Sequence, residues 1–320
     1  MERSALINFV RETLAKAGFF VSDPCNTQGI SFDIMARRDD LLLIIKVLVN
    51  VDAYGKQHAH EIKVIAKLLK GTPLLIGERS GQGALETGVL YLRQGISLIS
   101  AKTLEEYFIE GIPPYVYAAH GGFYVNLDVN LLKQIRKERK LSLGQVAEAA
   151  GVSRKSVQMY EEGVNPTVDV GMRLAEFLEN NILLPLRFDR HPKDNDKEIT
   201  DEDALTQIDD DDDLESQVFR QLNGLGYEVV RTQKCPFDAL TSDVKLTILT
   251  GIGEYDPTTK MRAKAMYNIS RVAERHSVFI VKETKRKNIE GTPVIGMNEL
   301  GKLRETEELL KLILDRKVRV

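Results

Sequence analysis

The residues best suited to chemistry lie in one short stretch of the chain, residues 141–163. Arg154, Lys155, Gln158 and Met159 recur there at helical spacing, so they project together from the start of a predicted helix. Cationic and amide side chains at such a place can neutralise phosphates and form hydrogen bonds with base edges in the major groove of DNA. The predicted DNA-contacting residues are Ser142, Ser153, Arg154, Lys155, Ser156, Gln158 and Met159.

The residues around this set predict the elements that hold it. Ser142 followed by Gln145 forms a capping box that begins one helix, and Gly151 ends that helix in a left-handed conformation. Ser153 can cap a second helix, which ends at Gly163. Two short helices joined by a tight glycine turn form a helix-turn-helix, and the second helix presents the predicted contacts.

Local charge agrees with a nucleic-acid partner. Residues 131–160 include seven basic and two acidic side chains, although the whole chain has a net charge of −3. The alternative is a plain helical bundle whose basic residues only face solvent. Only the DNA-binding hypothesis predicts an affinity for DNA that falls strongly with salt concentration, because the basic residues would neutralise phosphates.

This stretch resembles the Cro/repressor-type helix-turn-helix, over residues 131 to about 186. Small, apolar and acidic residues stand at the positions usual in that family: Ala147, Gly151, Val157, Glu161 and Gly163. Leu143 departs from it, since many relatives have a glutamine there that touches phosphate. Met159 also departs, because a polar base-reading residue is frequent at that position, and it favours an apolar contact with a thymine methyl group.

Composition limits the class of protein. The chain has 320 residues, of which 43% are hydrophobic and 28% charged, as expected for two or three globular domains. Twelve acidic residues and two lysines are concentrated in residues 191–215, and the remainder has a net charge of +7. The two cysteines, and the lack of a signal-peptide pattern or of an apolar run long enough to span a bilayer, favour a cytoplasmic protein without membrane contact.

The segments on both sides of the helical region show the same order of patterns. A helix, three strands, a helix and further strands are predicted in each, which indicates two related α/β domains. The alternative is that any two α/β domains share such a rhythm. The predicted domains are an α/β domain at 1–120, a helix-turn-helix domain at 126–190, an acidic linker at 191–215 and a second α/β domain at 216–320.

The α/β pattern resembles the restriction-endonuclease-like fold, also called PD-(D/E)XK. That resemblance implies an active site with an aspartate on one strand and, on the next, a carboxylate two residues before a lysine. The carboxylates would hold a divalent metal ion. Asp33 and Lys46 fit, but Ile44 stands where the second carboxylate is required. Because Mg²⁺ takes oxygen ligands, the site is predicted to be inactive.

The second α/β domain lacks the same chemistry. It retains Asp238, but Ile248 and Thr250 stand near the other two positions. Some relatives move the acid to the neighbouring helix, where Glu61 could act in the first domain, so the degenerate site there comprises Asp33, Lys46 and Glu61. The simpler interpretation is that Asp33 binds nearby backbone and that the amine of Lys46 reaches solvent or Asp33.

The order of these domains resembles that of a family of archaeal HTH-type transcriptional regulators. The sequences of residues 29–34 and 43–50 are also typical of that family. The fold implied is a Cro/lambda-repressor-like helical DNA-binding domain between two degenerate restriction-endonuclease-like α/β domains. We expect a sequence-specific transcriptional regulator that binds double-stranded DNA as a homodimer, without catalytic residues, cofactor or metal, and with an effector left open. The alternatives are a metal-dependent DNA-processing nuclease with a rearranged site and a ligand-gated sensor.

Overall fold

The computed structural model describes residues 2–25, 30–189 and 213–317. Most of the acidic segment predicted at 191–215 therefore lies outside the described residues. The chain divides into two compact units. One comprises Met1–Thr13, Leu48–Ala53 and Leu75–His191, and the other comprises Leu14–Val47, Tyr54–Leu74 and Pro192–Val320.

The secondary structure is mixed. The helices are α1 (Arg3–Lys16), α2 (Lys56–Leu69), α3 (Ala101–Glu105), α4 (Val129–Glu138), α5 (Leu143–Ala150), α6 (Arg154–Glu161), α7 (Val168–Phe177), α8 (Leu214–Gly224), α9 (Pro257–Ala273), α10 (Met297–Leu300) and α11 (Thr306–Arg316). The strands before the helical region are β1 (Phe20–Val21), β2 (Ile34–Arg38), β3 (Leu41–Asn50), β4 (Thr72–Ser80), β5 (Gly83–Ala84), β6 (Val89–Arg93), β7 (Ile96–Ser100), β8 (Val116–Ala119) and β9 (Gly122–Leu127). The later strands are β10 (Leu183–Leu184), β11 (Glu228–Arg231), β12 (Ala239–Ser242), β13 (Thr247–Ile252), β14 (His276–Val281), β15 (Asn288–Ile289) and β16 (Thr292–Gly296).

The two α/β domains share one order of elements, as the sequence predicted. In each, a helix precedes an antiparallel three-stranded meander, β1–β2–β3 or β11–β12–β13, and a long helix, α2 or α9, follows it. Each then ends in an antiparallel strand pair, β6–β7 or β15–β16. The second sheet has the order β11-β12-β13-β14-β16-β15, with β13, β14 and β16 parallel.

The predicted strand at residues 31–36 begins later than expected. Asp33 donates its backbone N–H to Ile45 O over 2.7 Å, but its own carbonyl accepts from Cys25. The Asp33 carboxylate, rather than its carbonyl, accepts the N–H of Val47. A side chain therefore replaces the backbone in the ladder at this point, and regular pairing with β3 starts at Ile34.

The helical region is built onto a sheet that the sequence patterns did not reveal. Strand β6 pairs with β7 and, in parallel, with β8, which forms a hairpin with β9; β10 closes the far edge. The backbone of Val125 in β9 donates to Pro166 O, ahead of α7. The Asn165 amide donates to Tyr117 Oη at 2.9 Å and to Asn126 Oδ1 at 2.8 Å. The segment between α6 and α7 is thereby fixed to the β8–β9 hairpin.

A single apolar core holds the helices to this hairpin. Its fully or almost fully buried members come from β9, α4, α5, α6 and α7 and include Val125, Leu132, Val146, Val157 and Leu174. Burying a side chain of this size contributes roughly 1.5–3 kcal/mol relative to exposure. The core therefore sets the orientation of α6 from its inner face and leaves the outer face to solvent.

Candidate nucleic-acid interface

The starts of both short helices and the end of α5 follow from local residues, as predicted. Ser142 Oγ accepts the N–H of Gln145 at 3.2 Å, and the Gln145 side chain accepts the N–H of Ser142 at 2.9 Å. Gly151 ends α5 at φ 66° and ψ 40°, in the left-handed region. Ser153 Oγ then accepts the N–H of Ser156 at 3.0 Å and begins α6. The turn between α5 and α6 thus runs from Gly151, which ends the first helix, to Ser153, which begins the second.

Small side chains let the two helices approach, and an ion pair holds α6 to α4. Ala147 and Ala150 of α5 are buried against Val157 of α6. Arg136 Nε and Nη2 donate to the two carboxylate oxygens of Glu161 at 2.5 and 3.0 Å. This bidentate hydrogen bonding raises the pKa of the Arg136 guanidinium above its usual value.

The outer face of α6 presents the predicted contacts together. Arg154, Lys155, Gln158 and Met159 are exposed, Met159 to 39%. Within the described part of the chain, the side chains of Arg154 and Lys155 form no hydrogen bond or ion pair. The Gln158 amide donates to Glu162 Oε1 at 3.1 Å and keeps its carbonyl oxygen available. Two cations, an amide and a thioether on one helix face can meet phosphates, base edges and a thymine methyl group.

The serines predicted to contact DNA also take part in hydrogen bonds that begin α5 and α6. Ser142 and Ser153 cap α5 and α6, and the Ser153 and Ser156 hydroxyl oxygens are 2.9 Å apart. Ser142 and Ser153 are exposed and Ser156 is half-buried, so the hydroxyl groups of the two capping serines are accessible at the starts of α5 and α6. Sequence reasoning missed Arg136, because its partner Glu161 is 25 residues away and no local pattern joins the two.

The nuclease-like residues of the first α/β domain form a buried ion pair. Asp33 is fully buried and Lys46 is 7% exposed, with 3.3 Å between Lys46 Nζ and Asp33 Oδ1. Lys46 also donates to Ile30 O at 2.5 Å, and Asp33 Oδ2 accepts the Val47 N–H at 2.7 Å. Ile44 is fully buried, so it offers no ligand. Backbone binding by Asp33 and its contact with Lys46 match the simpler interpretation of these two residues.

Glu61 is engaged by another part of the chain. Its Oε1 accepts the backbone N–H groups of Gln233 and Lys234 at 2.7 and 2.9 Å, while Ser31 Oγ donates to Oε2. The Cys235 thiol lies 3.7 Å from the same carboxylate. Helix α2 is thereby held to the loop that follows β11. In the described ranges, no group of three or more His, Cys, Asp or Glu side chains could hold a metal ion.

The second α/β domain uses its aspartate in the same way. Asp238 N donates to Thr250 O, and Asp238 Oδ2 accepts the Ile252 N–H at 2.6 Å, which reproduces the bonds of Asp33 with a constant offset of 205. The Arg262 guanidinium, from α9, donates to the same carboxylate. Burial nevertheless raises the pKa of Asp238 above its usual value.

That offset corrects the sequence alignment of the two domains. Positions equivalent to Ile44 and Lys46 are Leu249 and Gly251, one residue later than the predicted Ile248 and Thr250. Leu249 is fully buried and provides no metal ligand. The two aspartates occupy equivalent positions, but the cation beside each comes from a strand in the first α/β domain and from a helix in the second.

The cysteines are poorly suited to nucleophilic or redox work. Burial and the nearby Asp33 raise the pKa of Cys25 to about 12, and burial together with Glu61 raises the pKa of Cys235 well above its ordinary value. Both thiols are therefore protonated at neutral pH, and a protonated thiol is a weak nucleophile and metal ligand.

Comparison with known proteins agrees with both parts of the architecture. Residues 3–114 match the model of the PD-(D/E)XK superfamily domain, and residues 132–182 match a helix-turn-helix model. A protein of Natronomonas pharaonis is 37% identical over 99% of each chain, and its printed name is "Putative HTH-type transcriptional regulatory protein". The chain belongs to this HTH-type regulatory protein family. Relatives with the same description in Methanocella arvoryzae and Halobacterium salinarum are each 36% identical over at least 98% of both chains.

Membership extends over the full length of these archaeal relatives, so both α/β domains and the helical region belong to the family's architecture. No solved structure matches the chain. None of the described helices is both long and apolar enough to cross a membrane.

Proposed function

We propose that this member of the HTH-type regulatory family is a sequence-specific DNA-binding transcriptional regulator, with α6 inserted in the major groove. The observation that carries the proposal is the outer face of α6, where Arg154, Lys155, Gln158 and Met159 are all exposed while Val157 is buried. A helix held by its inner face and preceded by a second, tightly packed helix has the geometry that reads base edges in helix-turn-helix proteins.

The side chains on α6 divide into roles. Lys155 and Gln158 have donors for base edges, the Gln158 carbonyl can accept from an adenine amino group, and Met159 offers an apolar contact to a thymine methyl group. The exposed helix starts at Ser142 and Ser153 supply hydroxyl and backbone groups for phosphates. Leu143 contributes no polar contact.

Selection of duplexes from a random library, followed by fluorescence anisotropy on the enriched sequence, tests the proposal. We expect Lys155→Ala and Gln158→Ala each to weaken binding to the selected duplex roughly 5- to 100-fold, as the loss of a base contact does. Lys311→Ala, which removes an exposed lysine of α11, is the matched control and should leave affinity unchanged. Failure to enrich any sequence, with α6 variants indistinguishable from the control, would contradict the proposal.

We further propose that the protein acts as a homodimer, because one two-turn helix reads only a few base pairs. The α/β domains at 1–120 and 216–320, flanking the helix-turn-helix domain at 126–190, would supply dimer contacts, sensing of an effector or additional DNA contact. The acidic segment at 191–215 would link the last two domains. Light scattering at micromolar concentration should give twice the chain mass, and the selected sequence should contain two related half-sites; a monomer on and off DNA would contradict this proposal.

The nuclease-like domains are proposed to lack catalysis, in a cytoplasmic protein that works on chromosomal DNA. The support is chemical: Ile44 and Leu249 occupy the second carboxylate position, and the Glu61 carboxylate is engaged by Ser31 and two backbone N–H groups. Incubation of the protein with plasmid and Mg²⁺ or Mn²⁺ should leave the DNA intact. Cleavage that disappears in Asp33→Ala would overturn this part of the proposal.

A further inference from the structure

A glycine in α5 lies directly beneath the guanidinium of Arg154. A Cβ built on Gly144 would stand 3.0 Å from Arg154 Nε, 3.2 Å from Nη2 and 3.3 Å from Cζ. All three atoms belong to the guanidinium group, which therefore lies next to the Gly144 backbone. Any side chain at position 144 would have to displace it.

Glycine is a poor choice for the second residue of an eight-residue helix. It loses more conformational freedom on folding than any other residue and weakens helices relative to alanine. Gly144 has a negative φ, so no backbone strain requires glycine there. The space it leaves is occupied by the guanidinium of Arg154, whose side chain forms no hydrogen bond or ion pair within the described residues.

Arg154 is exposed at the start of α6, and its guanidinium also lies beside the first turn of α5. In a helix-turn-helix, the helix that corresponds to α5 crosses the DNA backbone when α6 enters the major groove. A guanidinium at that place is near the helix that crosses the DNA backbone, where it can form two hydrogen bonds with one phosphate group.

We infer that Gly144 is a positioning residue whose missing side chain leaves room for the Arg154 guanidinium beside α5, where it binds a phosphate of the DNA backbone. This inference deepens the proposed function and rests on it. It moves Arg154 from the base-reading set to the backbone-binding set and leaves Lys155, Gln158 and Met159 to read sequence. Phosphate and base contacts leave different signatures, because only base contacts distinguish one sequence from another.

The experiment compares Gly144→Ala, Gly144→Gln, Arg154→Ala and the double variant Gly144→Gln/Arg154→Ala in the full-length protein. Affinity is measured by anisotropy on the selected duplex and on an unrelated duplex of equal length, across a salt series. The matched control is Gly224→Gln, since Gly224 is the last residue of α8 and nothing lies within 4 Å of the position its Cβ would take. Thermal unfolding of each variant shows whether the fold is retained.

We expect Arg154→Ala to weaken binding to both duplexes by the same factor, about 10-fold, and to make the salt slope shallower by about 0.9, as for one lost phosphate contact. Gly144→Gln should reproduce both effects, and Gly144→Ala should show a smaller loss. The double variant should be no weaker than Arg154→Ala alone. Unfolding temperatures of the Gly144 variants should be equal to or above that of the unsubstituted protein, because a helix former replaces glycine.

Four results would overturn the inference. A loss in Arg154→Ala confined to the selected duplex would make Arg154 a base reader. Full affinity in Gly144→Gln, or a loss that adds to that of Arg154→Ala, would show that Gly144 does not act through Arg154. No effect of Arg154→Ala would refute the phosphate contact, and the proposed function would then stand or fall separately on Lys155→Ala and Gln158→Ala.

Discussion

The ion pair between Arg136 and Glu161 should determine how firmly the recognition helix is held. Glu161 is 8% exposed, and its carboxylate has both oxygens bonded to Arg136. Arg136→Met leaves this carboxylate buried without its partner. Breaking a fully buried pair costs about 3–5 kcal/mol, and we expect about 2–3 kcal/mol here because 19% of the Arg136 side chain remains in contact with solvent.

The cost should be local, since the pair joins α4 to the last turn of α6. Amide hydrogen exchange followed by mass spectrometry on the full chain can measure this local loss of stability. A loss of about 2 kcal/mol corresponds to roughly 30-fold faster exchange of the protected amides of α6. Removing both charges in Arg136→Met/Glu161→Leu should restore most of the protection, because an apolar pair of similar volume needs no charge compensation.

The comparison of single and double variants decides between two views of the pair. If Arg136→Met leaves exchange in α6 unchanged, the pair behaves as a solvent-screened surface contact and the reasoning from burial is wrong. If the double variant exchanges as fast as Arg136→Met, packing of the arginine stem rather than charge pairing holds the helix. Variants with faster exchange in α6 should also bind DNA more weakly, since a less ordered α6 must become ordered on binding.

Three further predictions concern the remaining contacts. Glu61→Ala should lower stability in urea by about 1.5–3 kcal/mol, because two backbone N–H groups lose a charged acceptor; equal midpoints in Glu61→Ala and the unsubstituted protein would contradict it. Gly171→Ala should cost about 1–3 kcal/mol by overlap with Val125, with Gly224→Ala near neutral, and a similar change in both would refute the packing argument. Burial raises the pKa of Asp238, so its stability contribution is fullest below about pH 4, the unfolded value, and is lost as pH rises through the folded one. The deficit of Asp238→Asn should therefore shrink between pH 4 and 7, and a deficit that grows would mean that Arg262 outweighs burial.

Features that depend on a few neighbouring residues could be predicted from the sequence. The capping box at Ser142, the left-handed Gly151 and the cap at Ser153 each involve residues no more than five positions apart, and all three were confirmed. The order of elements in the two α/β domains also followed from hydrophobic patterns. Such predictions succeed because the interactions that fix them form within one turn of the chain.

Features that join distant residues could not be predicted. The backbone N–H groups that donate to Glu61 belong to residues 233 and 234, and Asn165 bonds to the β8–β9 hairpin about 40 residues earlier. The one-residue error at Ile248 and Thr250 has a similar origin, since only the hydrogen bonds of Asp238 fix the register between the domains. The contact between Arg154 and Gly144 could not be predicted either, because Arg154 belongs to the next helix.

The aspartates of the two α/β domains show why a retained carboxylate is weak evidence for catalysis. Asp33 and Asp238 each accept the backbone N–H of the neighbouring strand and so complete a ladder that the backbone carbonyl leaves open. Each is also paired with a cation, Lys46 from a strand or Arg262 from a helix. A carboxylate with a backbone donor and a neighbouring cation has its hydrogen-bond and charge partners without any metal ion. An aspartate can therefore be retained after the second carboxylate of the active site is lost, because it still binds the backbone of the neighbouring strand.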